Sequence, residues 1–246
     1  MNSRSKFQGV KNIINFNSHQ YITALVSILI SFIFYSINFL NLKIIFLILI
    51  ILISFNVLSS IIFSYIIYDK SDLYRFDGIR FSEENLTILN ITAGFDETTV
   101  ILKNKFPNSD FLVLDFYNEE THTELSIKKA RKIYPQGEDV VKIITTDIKF
   151  RENFADKIFL IFSLHEVRNR REKIKFINEL YRVLKDGGEI VIIEHLRNLN
   201  NFIAYSVGFF HFYSDNYWRN VFKESKFIDI ESFKINSFIK LYNLKK

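Results

Sequence analysis

The stretch KIFLIFSLHEVRNRREKIKFINELYRVLKDGGEIVIIEH (Lys157–His195) decides the fold. Its first eight residues, Lys157–Leu164, are nearly all apolar, the pattern of a strand buried on both faces of a parallel sheet. In Arg170–Leu184 the residues Ile174, Ile177, Leu180, Tyr181 and Leu184 recur at three- and four-residue spacing, which predicts an amphipathic helix. Asp186-Gly187-Gly188 is read as its stop, and EIVIIEH (Glu189–His195) as the next strand. The same alternation extends upstream. TILNIT (Thr87–Thr92), FLVLDFY (Phe111–Tyr117) and VVKIITTD (Val140–Asp147) read as strands, with helices over Asp96–Phe106, ended before Pro107-Asn108, and Glu119–Tyr134. Downstream, a helical stretch around Asn216–Ser225 precedes FIDIESFKI and SFIKLYNL, two runs suited to a hairpin. Residues 69–246 are therefore predicted to be one α/β domain with a doubly wound, mostly parallel sheet.

Residues 21–68 differ in kind. From Tyr21 to Tyr68 the only charged side chain is Lys43. Tyr21–Leu40 and Ile44–Tyr68 each reach the ~20 apolar residues that a bilayer-spanning helix needs. Tyr21, Tyr65 and Tyr68 stand near the ends, where amphipathic rings favour the headgroup zone, and Asn41-Leu42-Lys43 allows only a tight turn. The doubled apolar stretch has no small-residue cleavage site, unlike a signal peptide. Arg4, Lys6 and Lys11 precede the hairpin and Lys70, Arg75 and Arg80 follow it, against Lys43 alone in the turn. Basic residues mark the cytoplasmic side, so the 1–20 segment and the 69–246 domain are expected there, with the chain integral to the cell membrane.

Composition narrows the chemistry. The 246 residues contain no cysteine, which excludes disulfide scaffolds, zinc fingers, iron–sulfur centres and thiol nucleophiles. The net charge of +5 is spread along the chain, so nucleic acid is not implied as a partner, and nothing in the sequence sets the oligomeric state.

In doubly wound sheets ligands sit beyond the carboxyl ends of the strands. Asp115 closes the second strand twenty-one residues after Gly94, the spacing of an acid that accepts from ribose hydroxyls. Asp147 closes the third predicted strand, where a carboxylate can meet an adenine amino group. Together they favour an adenosine ligand, although either acid alone also reads as a turn cap. The first loop, Asn90-Ile91-Thr92-Ala93-Gly94-Phe95-Asp96-Glu97, lacks the three glycines of a dinucleotide site. Asp96 and Glu97 at the predicted helix start suit the helix dipole and repel phosphate. A cationic, phosphate-free adenosine compound such as S-adenosylmethionine escapes that repulsion.

These residues carry a resemblance. ELYRVLKDGGEIVIIEHLR (Glu179–Arg197) is similar to the E-x-x-RVLKPGG-x-strand-E segment of the class I S-adenosylmethionine-dependent methyltransferases. TTDIKFRENFADKIFLIFSLHEVRN (Thr145–Asn169) resembles their D-x-LPF-x-D-x-x-FD passage. The resemblance covers most of residues 69–246 and implies S-adenosyl-L-methionine as cofactor. It assigns Gly94 to the middle glycine of the first motif, Asp115 with Phe116 to the ribose acid and its neighbour, and Asp147 and Ile148 to the adenine pair. It sets Ser163 beside the methionine moiety. The first motif departs from the pattern, with Asn90, Thr92, Gly94 and Asp96 where the family has an acid and three glycines. Thr92 is a candidate for the methionine carboxylate.

Because the cofactor carries an activated methyl, the protein's work is orientation and, for a hydroxyl or phenol, proton removal. Candidate bases are His165 and then His195, with Glu194 beside it; each histidine also reads as an ordinary loop or capping residue. Glu194 is alternatively an ion-pair partner of Arg197 or Arg168. Tyr74, in the Tyr68–Arg80 connection, is read as a lid over the cofactor or as part of a polar linker. The aromatic run Asn201–Trp218 lines an apolar pocket, lies on the bilayer, or covers the sheet. The expected activity is a membrane-tethered methyltransferase acting on an apolar or amphipathic small molecule, lipid-like or quinone-like. The alternative is a catalytically inactive scaffold or S-adenosylmethionine sensor of the same fold. A nucleotide-dependent oxidoreductase is disfavoured by the missing glycines.

Overall fold

The computed structural model describes residues 4–76, 79, 85–122 and 124–246. Arg80, counted above among the flanking basic residues, lies outside them.

Three helices come first: α1 (Gln8–Phe16), α2 (Ser18–Ser36) and α3 (Lys43–Ser64). α2 and α3 pack side by side over 19 and 22 residues, about 28 and 33 Å at 1.5 Å per residue. Both are long and apolar enough to cross a membrane, by length and composition. Their outer faces present Leu25, Leu29, Phe32, Ile48, Ile51 and Phe55. Some polar residues turn inward: Ser31 and Ser59 are buried, and Tyr21 Oη lies 2.9 Å from Ser60 Oγ, while Thr23, Ser36 and Asn56 stay exposed. A 3₁₀ turn over Phe39–Asn41 joins the helices, and a π-helical turn over Tyr65–Lys70 ends α3. There the Asp69 carboxylate accepts from the Gly9 and Val10 amides (2.7 and 3.0 Å), satisfying two orphan N–H groups at the start of α1.

A seven-stranded sheet follows: β1 (Thr87–Thr92), β2 (Asp110–Asp115), β3 (Val141–Lys142), β4 (Ala155–Ile161), β5 (Leu184–His195), β6 (Asp229–Lys234) and β7 (Ile239–Lys245). The spatial order is β3-β2-β1-β4-β5-β7-β6, with β7 antiparallel to β5 and β6. The first five strands are parallel, and the order reverses between β1 and β4. That reversal opens a crevice above the carboxyl ends of the two central strands. The helices α4 (Thr99–Lys105), α5 (Leu125–Ile133), α6 (Arg170–Val183), α7 (Leu199–Tyr205) and α8 (Asp215–Lys223) complete the fold. One core joins Phe176, Ile177 and Leu180 of α6 and Trp218 and Phe222 of α8 to one sheet face. The second joins Leu102 of α4 and Ala204 of α7 to the other face. Ile67, Leu73 and Phe76 belong to this second core, so the connection from α3 is packed against the sheet and is not a polar linker.

The predicted β1 matches, and the late pair of runs forms the β6–β7 hairpin. The predicted helices are shorter at their starts, α4 by three residues and α5 by six. The strand predicted over Val140–Asp147 shrinks to the two residues of β3, at the sheet edge. Asp147 therefore stands in a turn bridged to Ile144, not at a strand end. Asp186-Gly187-Gly188 does not stop α6. The helix ends at Val183, and these residues run inside β5 beside β4. A Cβ on Gly188 would lie 2.8 Å from the Asp156 carbonyl oxygen, so the glycine permits that close approach.

Candidate functional site

On the β2 side of the crevice the polar groups answer one another. Parallel register sets Thr92 directly beside Asp115. Asp115 is fully buried; its Oδ1 accepts from the Tyr117 amide (3.1 Å), and its Oδ2 pairs with Arg131 (3.2 Å) and with Lys142. Thr92 donates to the Leu114 carbonyl (3.2 Å). Asn90 donates to Thr98 and Thr99 Oγ1 (3.2 and 2.6 Å), which ties the strand to the start of α4. Asp96 accepts from the Thr98 and Thr99 amides (2.9 and 3.0 Å). The donors that a pyrophosphate would use at this helix start are thus already taken. Gly94 holds φ +96°, and a Cβ there would meet the Tyr117 ring at 2.8 Å. Phe116 is buried in the core and packs edge-on against Phe176.

The signature segment has a visible job. Arg182 donates to the Ile148 and Phe150 carbonyls (2.7 and 2.8 Å), and Glu179 accepts from the Ile148 amide (3.2 Å). Two residues of α6 thereby clamp the loop that carries the predicted adenine pair. Ile148 is buried there, while Asp147 is half exposed and pairs with Lys149.

On the β5 side the groups face a cavity. Phe162, at φ +52°, turns the chain at the end of β4. Ser163 next donates to the Ile91 carbonyl (2.8 Å), and His165 and Glu166 follow. Glu194, fully buried, accepts from the His165 amide (3.1 Å) and lies 2.7 Å from His165 Nδ1. It pairs with neither Arg197 nor Arg168: Arg197 donates to the Phe210 and Phe212 carbonyls, and Arg168 reaches Glu124, Glu166 and His211. His165 Nε2 lies 3.2 Å from Glu166 Oε1, and His211 Nε2 is 3.2 Å from the same oxygen. Glu124 Oε1 stands 2.9 Å from His211 Nδ1. Burial disfavours an imidazolium at His165, but Glu194 and Glu166 outweigh it and push the group up to about 10. Burial likewise opposes the Glu166 charge, yet His165 and His211 hold it far below the usual carboxylate range. The two carboxylates thus favour the protonated ring, which weighs against His165 as a base.

His195 is the opposite case. Burial, helped by the His165 charge, pulls it down to about 3. Its ring stacks between Phe162 and Phe212. Nδ1 donates to Asn201 Oδ1 (3.3 Å), and Nε2 accepts from Tyr68 Oη (2.7 Å). Its lone pair is occupied, and the residue joins the end of the hairpin to the sheet. Tyr74 donates to Glu97, and Arg4 stacks on its ring at 3.7 Å while pairing with Glu97 at 2.6 Å. Helix α1 covers this loop, with Phe16 edge-on to Phe95 and Asn12 accepting from Tyr134 (2.7 Å).

A cavity of about 960 Å³ opens on the β5 side, and of the predicted cofactor residues Thr92 alone lines it; Asn90, Gly94, Asp115, Phe116, Asp147, Ile148 and Ser163 do not. Its floor includes Thr92, Phe95, His165, Glu166 and His211, and its walls come from α1 and the Tyr205–Phe212 turn. Ala24, Ser27, Ile53, Asn56 and Val57 continue it between α2 and α3. Glu124, His211 and Asn201 were not singled out from sequence, because only the folded chain brings these distant loops to the crevice.

Comparison with known proteins agrees with this geometry. Residues 89–192 match the family described as "Methyltransferase domain". Over 112 residues the chain is 30% identical to the ubiquinone/menaquinone biosynthesis C-methyltransferase of Geotalea daltonii, covering 45% of this chain and 46% of that one. The chain thus spans about half the length of this curated relative. Among solved structures, human N-acetylserotonin methyltransferase in complex with S-adenosylmethionine superposes with a TM-score of 0.50 and 16% identity, over 79% of this chain and 55% of that one. A chain of the Haloferax volcanii complex between the Trm112 methyltransferase activator and its methyltransferase gives 0.51 and 13%, over 78% and 96%. The fold is the one that S-adenosylmethionine-dependent methyltransferases use.

Proposed function

We propose that the protein is a membrane-tethered methyltransferase that moves a methyl group from S-adenosylmethionine to an amphipathic small molecule with an apolar tail. The observation that carries this reading is the single cavity running from the strand-end loops into the space between α2 and α3. A polar headgroup meets His165, Glu166 and His211 at one end, and an apolar tail lies along Ala24, Ile53 and Val57 at the other. The outward faces of the hairpin carry bare Leu, Ile and Phe side chains along both helices, an arrangement suited to lipid and not to water. The basic residues flanking the hairpin support a cytoplasmic position for the domain. The curated relative is named for ubiquinone and menaquinone biosynthesis, which is in keeping with an amphipathic small molecule.

The cofactor reading rests on Asp115, Thr92, Gly94, Asn90 and the Asp147–Ile148 loop. Asp115 Oδ2 exchanges its contact with the half-exposed Lys142 for ribose hydroxyls. Asp96, seated on the first amides of α4, favours a sulfonium over a phosphate. The sulfonium supplies the activated methyl; the chain supplies alignment and a water-poor cavity. Purified protein incubated with methyl-labelled S-adenosylmethionine and membrane extracts tests this. Label is expected in the organic phase. Label that never leaves the cofactor, together with no calorimetric heat at millimolar S-adenosylmethionine, would favour the inactive scaffold.

A further inference from the structure

We propose that His165, Glu166 and His211 form a binding site for one first-row divalent metal ion on the wall of the cavity. Three observations converge. First, the donor atoms are gathered: both Nε2 atoms lie 3.2 Å from Glu166 Oε1, and all three ligand atoms lie within 4.8 Å of one another. Ligands bonded to a common ion at about 2.0–2.2 Å stand roughly 3.0–3.5 Å apart, so the spacing is that of a coordination edge. Second, each imidazole is oriented from behind. Glu194 holds His165 Nδ1 at 2.7 Å, and Glu124 holds His211 Nδ1 at 2.9 Å. A carboxylate on the far nitrogen fixes the tautomer that leaves Nε2 for a metal. Third, the guanidinium at this corner, Arg168, is shared between Glu124 (3.2 Å) and Glu166 (3.6 Å), so two carboxylates face one permanent cation there while Glu194 is held by His165.

Two histidines and one carboxylate on one face, with the remaining positions open, suit zinc(II), iron(II) or manganese(II). Here the open side is the cavity. An ion takes the place of the proton at Nε2. The next ligand is an anionic oxygen of the molecule in the cavity; that role rests on the methyl-transfer reading, whereas the site itself stands on geometry alone. Arg168 Nη2 lies 2.8 Å from His211 Nε2 and competes with the ion for this corner, from a side chain 40% exposed and able to swing away.

The full chain, purified in detergent and stripped with chelator, is titrated with cobalt(II) by visible absorption and with zinc(II) by calorimetry. One saturable equivalent is expected. His211→Ala and Glu166→Gln each weaken affinity at least about tenfold, as does Glu124→Gln, which removes only the support behind His211. Arg168→Gln tightens binding. His211 is partly exposed, so its truncation leaves the fold intact, which circular dichroism checks. The site is overturned if the wild type takes up no stoichiometric cobalt, or if His211→Ala and Glu166→Gln bind it as the wild type does. Titrating S-adenosylmethionine into the same samples separates the two readings. Cofactor binding without metal defeats the ion site alone, and metal binding without cofactor defeats methyl transfer alone.

Discussion

Asp115 at the end of β2 and Glu194 near the end of β5 are both wholly buried carboxylates, yet their surroundings differ. Asp115 is paired with Arg131 and Lys142, whose side chains are 26% and 56% exposed. Glu194 is paired with His165, which is buried. On the first flank the charge is compensated from solvent-reaching chains that can leave; on the second it is compensated by a fixed ring. The first arrangement suits a position where a ligand replaces the partner. The second suits a preorganised wall that keeps its geometry while a substrate comes and goes.

Removing each acid sharpens this contrast. Glu194→Ala leaves the buried His165 with Glu166 as its remaining carboxylate and is expected to cost about 3–5 kcal/mol of unfolding free energy, read from denaturant titration. Asp115→Ala leaves cations that water can reach, so a loss of only about 1–3 kcal/mol is expected, with a weakening of S-adenosylmethionine binding measured by calorimetry. Equal losses at the two sites would erase the distinction. Arg182→Ala frees the Ile148–Phe150 loop on the cofactor flank and should cost about 1–2 kcal/mol, raising KM for the cofactor with little change in kcat.

The smallest effect concerns Lys173, buried under the second flank among Tyr213, Tyr217 and Trp218. Burial lowers it from 10.5 to about 7. A lysine that binds its proton less well when folded weighs against stability in full below pH 7, and the burden disappears as pH rises to its unfolded value. Wild-type stability should therefore gain from this group between pH 7 and 10.5. Lys173→Met should stabilise by about 1 kcal/mol at neutral pH and by nothing near pH 10.5. A gain that is the same at both ends of that range would show that the lysine carries no such burden.

Much of the fold was legible because apolar periodicity is strong where the sheet is buried. β1 and the β6–β7 hairpin follow directly from their runs, and β5 differs only by an early start. The edge strand was not legible: Val140–Asp147 has the residue types of a strand, but pairing stops after Lys142 when the neighbour β2 ends at Asp115. Asp186-Gly187-Gly188 resembles a helix stop, whereas Gly187 supplies a φ of +79° with open space around it and Gly188 permits the close approach of β5 to Asp156. Strand-end residues such as His165 and Glu194 could be found by position alone. Their partners could not, because Glu194 meets the His165 ring across twenty-nine residues and His211 reaches Glu166 across forty-five. The same holds for Arg131 and Lys142 around Asp115.

The most direct test of the shared cavity compares methyl transfer to two substrates with the same hydroquinone head, one bare and one carrying a prenyl tail. The account predicts a higher kcat/KM for the tailed molecule, and a selective loss of that preference in Ser27→Trp, which fills the space between α2 and α3. A preference for the bare head, or a Ser27→Trp protein that still favours the tail, would contradict it.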